Sequence, residues 1–153
     1  MTALIKRFVG VDPGRDGAIA VLDENGKLLY LGDVLSADNY GLDELKKVLS
    51  EAVGAGETVC AVERPIAFPG IHGSVLIILT FAAGAAVAAA TVLGARVETP
   101  TASSWKHFLN LPKDKNESVA RARELFGADL PKRCRHDKCE AALLAYWAYK
   151  KNT

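Results

Sequence analysis

The chain has 153 residues, half of them hydrophobic and 24% charged, with a formal net charge of +1. That is the length of one ordinary domain with enough interior for a core, and it excludes a disordered tail, a collagenous chain and a disulfide-stapled miniprotein. The near-neutral balance argues against a generally basic nucleic-acid coat protein, yet it hides an asymmetry. Residues 1–99 carry 8 Lys+Arg against 12 Asp+Glu, whereas residues 100–138 carry 9 against 5. Acids early and bases late suit an acidic site beside a basic surface. Cys60, Cys134 and Cys139 follow no signal-peptide pattern, which points to a reducing, cytoplasmic compartment. Cys134, His136 and Cys139 lack the second ligand pair of a zinc site and read as free thiols.

The spacing predicts strands over Leu4 to Asp12, Ala18 to Leu22 and Leu28 to Val34, with Asn25-Gly26 as the hairpin turn between the last two. An amphipathic helix follows, with Leu42, Leu45, Leu49, Ala52 and Val53 on one face and Gly54 and Gly56 ending it. Thr58 to Glu63 reads as a fourth strand, closed by Pro65. Residues 71–95 carry no charge and pass the length test for a membrane span. The second half of that stretch is mostly alanine, nearly neutral toward lipid, and no Lys/Arg cluster flanks it. It reads instead as a helix of a soluble domain, either a buried spine or half of a dimer interface, with no membrane partner. Arg96 to Thr99 is a fifth strand, and helices follow near Ser103–Leu109, from Asn116 as N-cap to Phe126, and from about Asp137 to Lys150. This order predicts a single α/β domain over residues 1–153. Its five-stranded mixed sheet has three antiparallel strands and then two parallel ones, flanked by helices, with the fourth strand beside the first.

Asp12 ends the first strand and Glu63 ends the fourth. If those strands are neighbours, the two carboxylates stand roughly 5 Å apart at the edge where α/β sheets bind ligands. Asp137 and Glu140, three apart, share one side of the last helix, a spacing that also fits a capping box. Together the four would form a cluster of hard oxygen ligands suited to two Mg²⁺ or Mn²⁺ ions, the arrangement used for in-line phosphoryl displacement.

GVDPGRDGAIAVLD, AVERP and HDKCEAALLAYWA, in that order, resemble the motifs of RuvC-type Holliday junction resolvases of the RNase H-like superfamily, and TASSWKHFLNLPKDKNESV resembles the lysine-bearing stretch of that family. The resemblance covers nearly the whole chain, and the compact length looks more like phage-encoded members, acting in the bacterial host cytoplasm. It implies Asp12, Glu63, Asp137 and Glu140 as ligands of two metal ions, with Glu140 where family members commonly have Asp. His136 falls near the position at which some relatives place a basic histidine. Family members often carry an aromatic wedge after the V-E motif, and Phe68 stands five residues after Glu63. The implied activity is paired nicking of four-way DNA junctions by a homodimer, leaving 5′-phosphate and 3′-hydroxyl ends.

Phosphate contacts would come from Lys106, Lys113 and Lys115 in the basic stretch, from Lys132, Arg133 and Arg135 ahead of the last helix, and from Arg64 beside Glu63. Trp105 and His107 read as helix packing. Other classes give other expectations. DPGRDG also resembles the phosphate loop of an actin- or sugar-kinase-like ATP-binding lobe, although no second lobe fits this length. A scaffold with the same fold would bind DNA without cutting it, and an RNase H-like nuclease could act on structured RNA.

Overall fold

The computed structural model of the chain describes residues 4–35 and 41–153. Five strands, β1 (Lys6–Asp12), β2 (Asp16–Leu22), β3 (Leu28–Leu35), β4 (Glu57–Val62) and β5 (Arg96–Glu98), form one sheet in the order β3-β2-β1-β4-β5. The first three pair antiparallel, β4 runs parallel to β1, and β5 runs parallel to β4, the α/β arrangement expected from the sequence. The helices are α1 (Leu42–Ala55), α2 (Gly73–Leu93), α3 (Ala102–Phe108), α4 (Lys115–Phe126) and α5 (His136–Lys151), with one 3-10 turn at Gly127–Asp129. At the β2–β3 turn, Asp23 Oδ1 accepts hydrogen bonds from the Asn25 and Lys27 N–H groups, and Gly26 takes the positive φ of 80° that such a turn demands.

Strand alternation sorts the core into two layers. Phe8, Ala18, Ala20, Leu22, Val59 and Ala61 face α5, α4 and Trp105. Val9, Val11, Ile19, Val21, Cys60 and Val62 face α1 and α2. Counting on by twos from Phe8 and from Val59 places Gly10, Asp12 and Glu63 on the α5 side.

Gly10 is where α5 meets the sheet. A Cβ there would lie 2.2 Å from the Ala141 carbonyl oxygen and 2.4 Å from the Ala145 nitrogen, both backbone atoms of α5. The helix answers with small, fully buried side chains, Ala141, Ala142, Ala145 and Ala148. Helix backbone therefore rests almost directly on strand backbone.

Two helical details differ from the sequence reading. The N-cap of α4 is Asp114, whose side chain accepts from the Asn116 N–H, rather than Asn116 itself. Both residue types cap well, and capping at Asp114 adds the hydrogen bond from Ser118 N to the Asp114 carbonyl. The second concerns α2, which is not a buried spine. Its Ala82, Ala83, Ala86 and Ala90 pack inward with α1, while Ile77, Phe81, Gly84, Ala88 and Val92 form an exposed stripe on the opposite side. By length and composition alone α2 could cross a membrane, with 22% of its most apolar window buried.

Gly10→Ala is expected to destabilise the protein by about 1–3 kcal/mol, since neither backbone can yield. Gly54→Ala, in open space near the end of α1, is expected to be neutral or to stabilise by up to about 1 kcal/mol. Chemical denaturation of the two variants beside the parent checks both.

Candidate active site

The parallel register carries Val11 against Val62, so Asp12 and Glu63 follow side by side at the carboxyl ends of β1 and β4, and Glu63 N donates to the Val11 carbonyl. Because α5 is seated on Gly10, its first turns stand over these strand ends. Asp12, Glu63, Asp137 and Glu140 all line one cavity of about 590 Å³, together with Arg15, Asp16, Lys106, Lys115 and His136. The apolar wall is Val75, Ile78 and Leu79 from the first turns of α2. The N-cap of α5 is Arg135, with no side-chain capping bond, so Asp137 and Glu140 do not form a capping box.

Three of the four acids have a distinct polar neighbour. Trp105, fully buried in α3, donates its indole N–H to Glu63 Oε2 at 2.8 Å. Lys106, the next residue, places Nζ 2.6 Å from Glu140 Oε1, and both side chains are about nine-tenths buried. Asp137 Oδ1 lies 3.0 Å from His136 Nε2, and Lys115 Nζ lies 3.3 Å from that same nitrogen. One lone pair or one proton on Nε2 can serve only one of these partners at a time. Arg135 reaches Asp33 Oδ1 on β3 at 3.0 Å and Asp137 Oδ2 at 4.0 Å, and Lys138 meets the other Asp33 oxygen at 3.3 Å.

Burial, and then the charges of Glu63, Glu140 and Asp137, raise the Asp12 pKa well above the ordinary carboxylate range, with Lys106 opposing. Burial also raises the Glu63 pKa, and Glu140 adds to the rise; the Trp105 hydrogen bond and Lys106 pull it down. Carboxylates gathered against their mutual repulsion are stabilised by a cation, and an all-oxygen set suits a hard divalent ion. Among the described residues, no three His, Cys, Asp or Glu side chains are drawn together closely enough to hold an ion as they stand. Trp105 and Lys106 each engage one of the acids instead.

The remaining residues named from sequence are spread around this centre. Arg64, Phe68 and Lys113 line a neighbouring, largely apolar cavity of about 410 Å³ that shares Asp12, Glu63 and Lys106 with the first. Lys115 lines the carboxylate cavity, whereas Lys132 and Arg133 lie on the exposed loop before α5 and do not. Sequence reasoning missed Asp33, which tethers Arg135 and Lys138 and stands in no pattern that marks it; Arg15, which lines the cavity, lies in the DPGRDG turn already likened to a phosphate loop. Trp105 is packed as expected, but its hold on Glu63 has no signature in the sequence. All three cysteines are free thiols, and burial pushes Cys60 up to about 12.

With its mixed sheet, its helices and acids at the ends of neighbouring parallel strands, the chain has the RNase H-like fold of the RuvC resolvases. Thermus thermophilus RuvC in complex with Holliday junction substrate is similar at 19% sequence identity and a TM-score of 0.69, over 97% of this chain and 95% of that one. The same protein in a separate structure gives 18% and 0.67, over 97% and 96%. The yeast mitochondrial Holliday junction resolvase Ydc2 gives 13% and 0.54, over 93% and 77%. No protein-family model and no curated protein sequence matches the chain.

The raised acids set a pH dependence. A carboxyl whose folded pKa exceeds its unfolded value binds its proton more tightly when folded. Its contribution to stability is present below the unfolded pKa and is lost as pH rises through the folded one. The metal-free protein is therefore expected to lose stability as pH climbs from the ordinary carboxylate range through the raised values of Asp12 and Glu63. Asp12→Asn should flatten that slope and raise the neutral-pH melting temperature by roughly 2–4 °C per kcal/mol of repulsion relieved. Thermal denaturation across pH in the presence of a chelator checks both expectations.

Proposed function

We propose that the chain is a RuvC-type, metal-dependent endonuclease that resolves four-way DNA junctions as a homodimer. The observation that carries this reading is the convergence of Asp12, Glu63, Asp137 and Glu140 on one cavity at the carboxyl edge of the parallel strands. The likeness in fold to a RuvC bound to its Holliday junction supports the choice of substrate. When bound by these four acids, two Mg²⁺ or Mn²⁺ ions would polarise the scissile phosphate and activate a water, giving 5′-phosphate and 3′-hydroxyl ends.

The chain's own residues prepare that chemistry. Trp105 fixes one Glu63 oxygen, leaving the other free toward the cavity. His136, at the rim beside Asp137, would accept a proton from an incoming water once its Nε2 turns away from Asp137 and Lys115. Arg15 and Lys115 at this cavity, Arg135 beside Asp137, and Arg64 and Lys113 at the next cavity would supply cations for phosphates on either side of the cut. Lys132 and Arg133 extend that basic surface along the loop before α5. Phe68, exposed above the apolar cavity, is placed for contact with bases rather than with phosphates. We read residues 1–153 as one domain, and three unpaired thiols fit a cytoplasmic setting.

Paired cuts require paired sites, and two-fold symmetry supplies them. The stripe of Ile77, Phe81, Gly84, Ala88 and Val92 is the face for a second copy. Glycine at 84 costs about 1 kcal/mol of helix propensity relative to alanine. Among the described residues, nothing crowds that position. A partner helix approaching closely there accounts for the residue. Val92→Glu together with Ile77→Glu is expected to convert a dimer to a monomer in sedimentation equilibrium while the melting transition of the fold persists.

The activity test compares a four-way junction, a flap, plain duplex and structured RNA with Mg²⁺ or Mn²⁺. Junction cutting well above duplex cutting is expected, and Asp12→Asn should lower it by about a hundredfold or more, the scale of several kcal/mol of transition-state stabilisation. Equal cutting of duplex and junction would remove the resolvase reading and leave a nuclease. Preference for structured RNA would move the substrate class.

A further inference from the structure

The basic stretch contributes one cation that does not face solvent. Lys106 is buried in α3, its Nζ lies 2.6 Å from Glu140 Oε1, and its charge also lowers the proton affinity of Asp12 and Glu63. We propose that Lys106 is a resident counter-ion of the carboxylate centre: it occupies Glu140 in the metal-free protein and must surrender that carboxylate when a divalent cation enters. This inference rests on the metal-site reading above and adds to it a residue that sets how tightly the metal is held.

Three observations support it. The pair is desolvated, so the attraction is barely screened and Glu140 is not free to turn toward an ion without losing a short, charge-assisted bond. The acids line one cavity, yet no three of the described ligand-type residues are drawn into ion-holding positions, as expected where one carboxylate is already engaged by an ammonium. Finally, Lys106 has somewhere to go. It lines the carboxylate cavity, the apolar cavity of Phe68 and a third cavity bounded by Ser103, His107 and Lys113. In its present position, bonded to Glu140, the ammonium also lies 5.3 Å from the centroid of the neighbouring Trp105 ring, a weaker cation–π contact made at the same time. A rotation of the flexible lysine stem would move the charge from Glu140 toward the face with Lys113, where the proposed DNA phosphates lie. Metal entry and phosphate binding would then draw on the same side chain.

The usual expectation for breaking a buried ion pair is lost function, so the sign of the effect distinguishes this proposal. Mn²⁺ binding to DNA-free protein, measured by isothermal titration calorimetry at mildly alkaline pH, is compared in the parent, Lys106→Met, Lys106→Gln and Lys106→Arg. The Met and Gln variants are expected to bind Mn²⁺ tighter by about tenfold or more, since a unit charge close to the ion has been removed. The Arg variant keeps the charge and should stay near the parent. In thermal denaturation the metal-free Met and Gln variants should melt lower than the parent and gain more from saturating Mn²⁺. Lys106→Gln keeps a donor for Glu140 and serves if Lys106→Met does not fold. Mn²⁺ binding by the parent with equal or weaker binding by the folded variants overturns the inference and leaves the metal centre standing. No Mn²⁺ binding by any of the four proteins overturns both.

Discussion

The structure turns on the contact between Gly10 and the backbone of α5. Four acids from three separate stretches of chain can meet only if the first turns of α5 lie over the ends of β1 and β4, and helix and strand approach that closely only where no side chain intervenes. The alanines of α5 complete the fit. Everything proposed for the cavity follows from this seating, because Asp12 and Glu63 are fixed by sheet register and Asp137 and Glu140 by helix position. The arrangement stores repulsion: Asp12 is pushed well above the usual carboxylate range by burial and by three acids. Close packing of alanines on a glycine is the kind of rigid, non-polar contact that can hold such a cluster together.

Much of this was legible in the sequence. Apolar runs ended by an acid gave the positions of Asp12 and Glu63, and the meander followed by linked strands gave a mixed sheet with the fourth strand parallel to the first; the place of the fifth strand came from the structure. The side of the sheet came only with the structure: once Phe8 and Val59 are seen to face α5, acids an even number of residues from them fall on the same face. The Asp137-x-x-Glu140 spacing gave a shared helix side but left a capping box open, and only the position of the N-cap at Arg135 separates the two.

What the sequence could not carry was depth. Lys106 reads as one more base in a basic stretch, because charge is written in the sequence but burial is not. Its position depends on Trp105 being driven under α3, which sets the next residue against Glu140. Asp33 escaped for a related reason: it matters through Arg135 and Lys138, distant in the chain, and a lone charged residue in a strand carries no mark of such partners. The uncharged helix was ambiguous because composition is blind to sidedness: Ala82, Ala83, Ala86 and Ala90 proved to be its inward face, and Ile77, Phe81, Gly84, Ala88 and Val92 its outward one.

The two ends of α2 have different surroundings. Val75, Ile78 and Leu79 near its start wall the carboxylate cavity, while the stripe from Ile77 to Val92 looks outward along most of its length. In a paired assembly this rod would act as a gauge: the point along it where two copies cross would set the span between their cutting centres. Sliding that crossing by one helical turn would change the offset by about 5.4 Å on each copy, close to the rise of one or two base-pair steps. The geometry of substrate the pair could straddle would thus be adjustable through the order of small and large residues on one helix face, with the carboxylates and their chemistry left untouched.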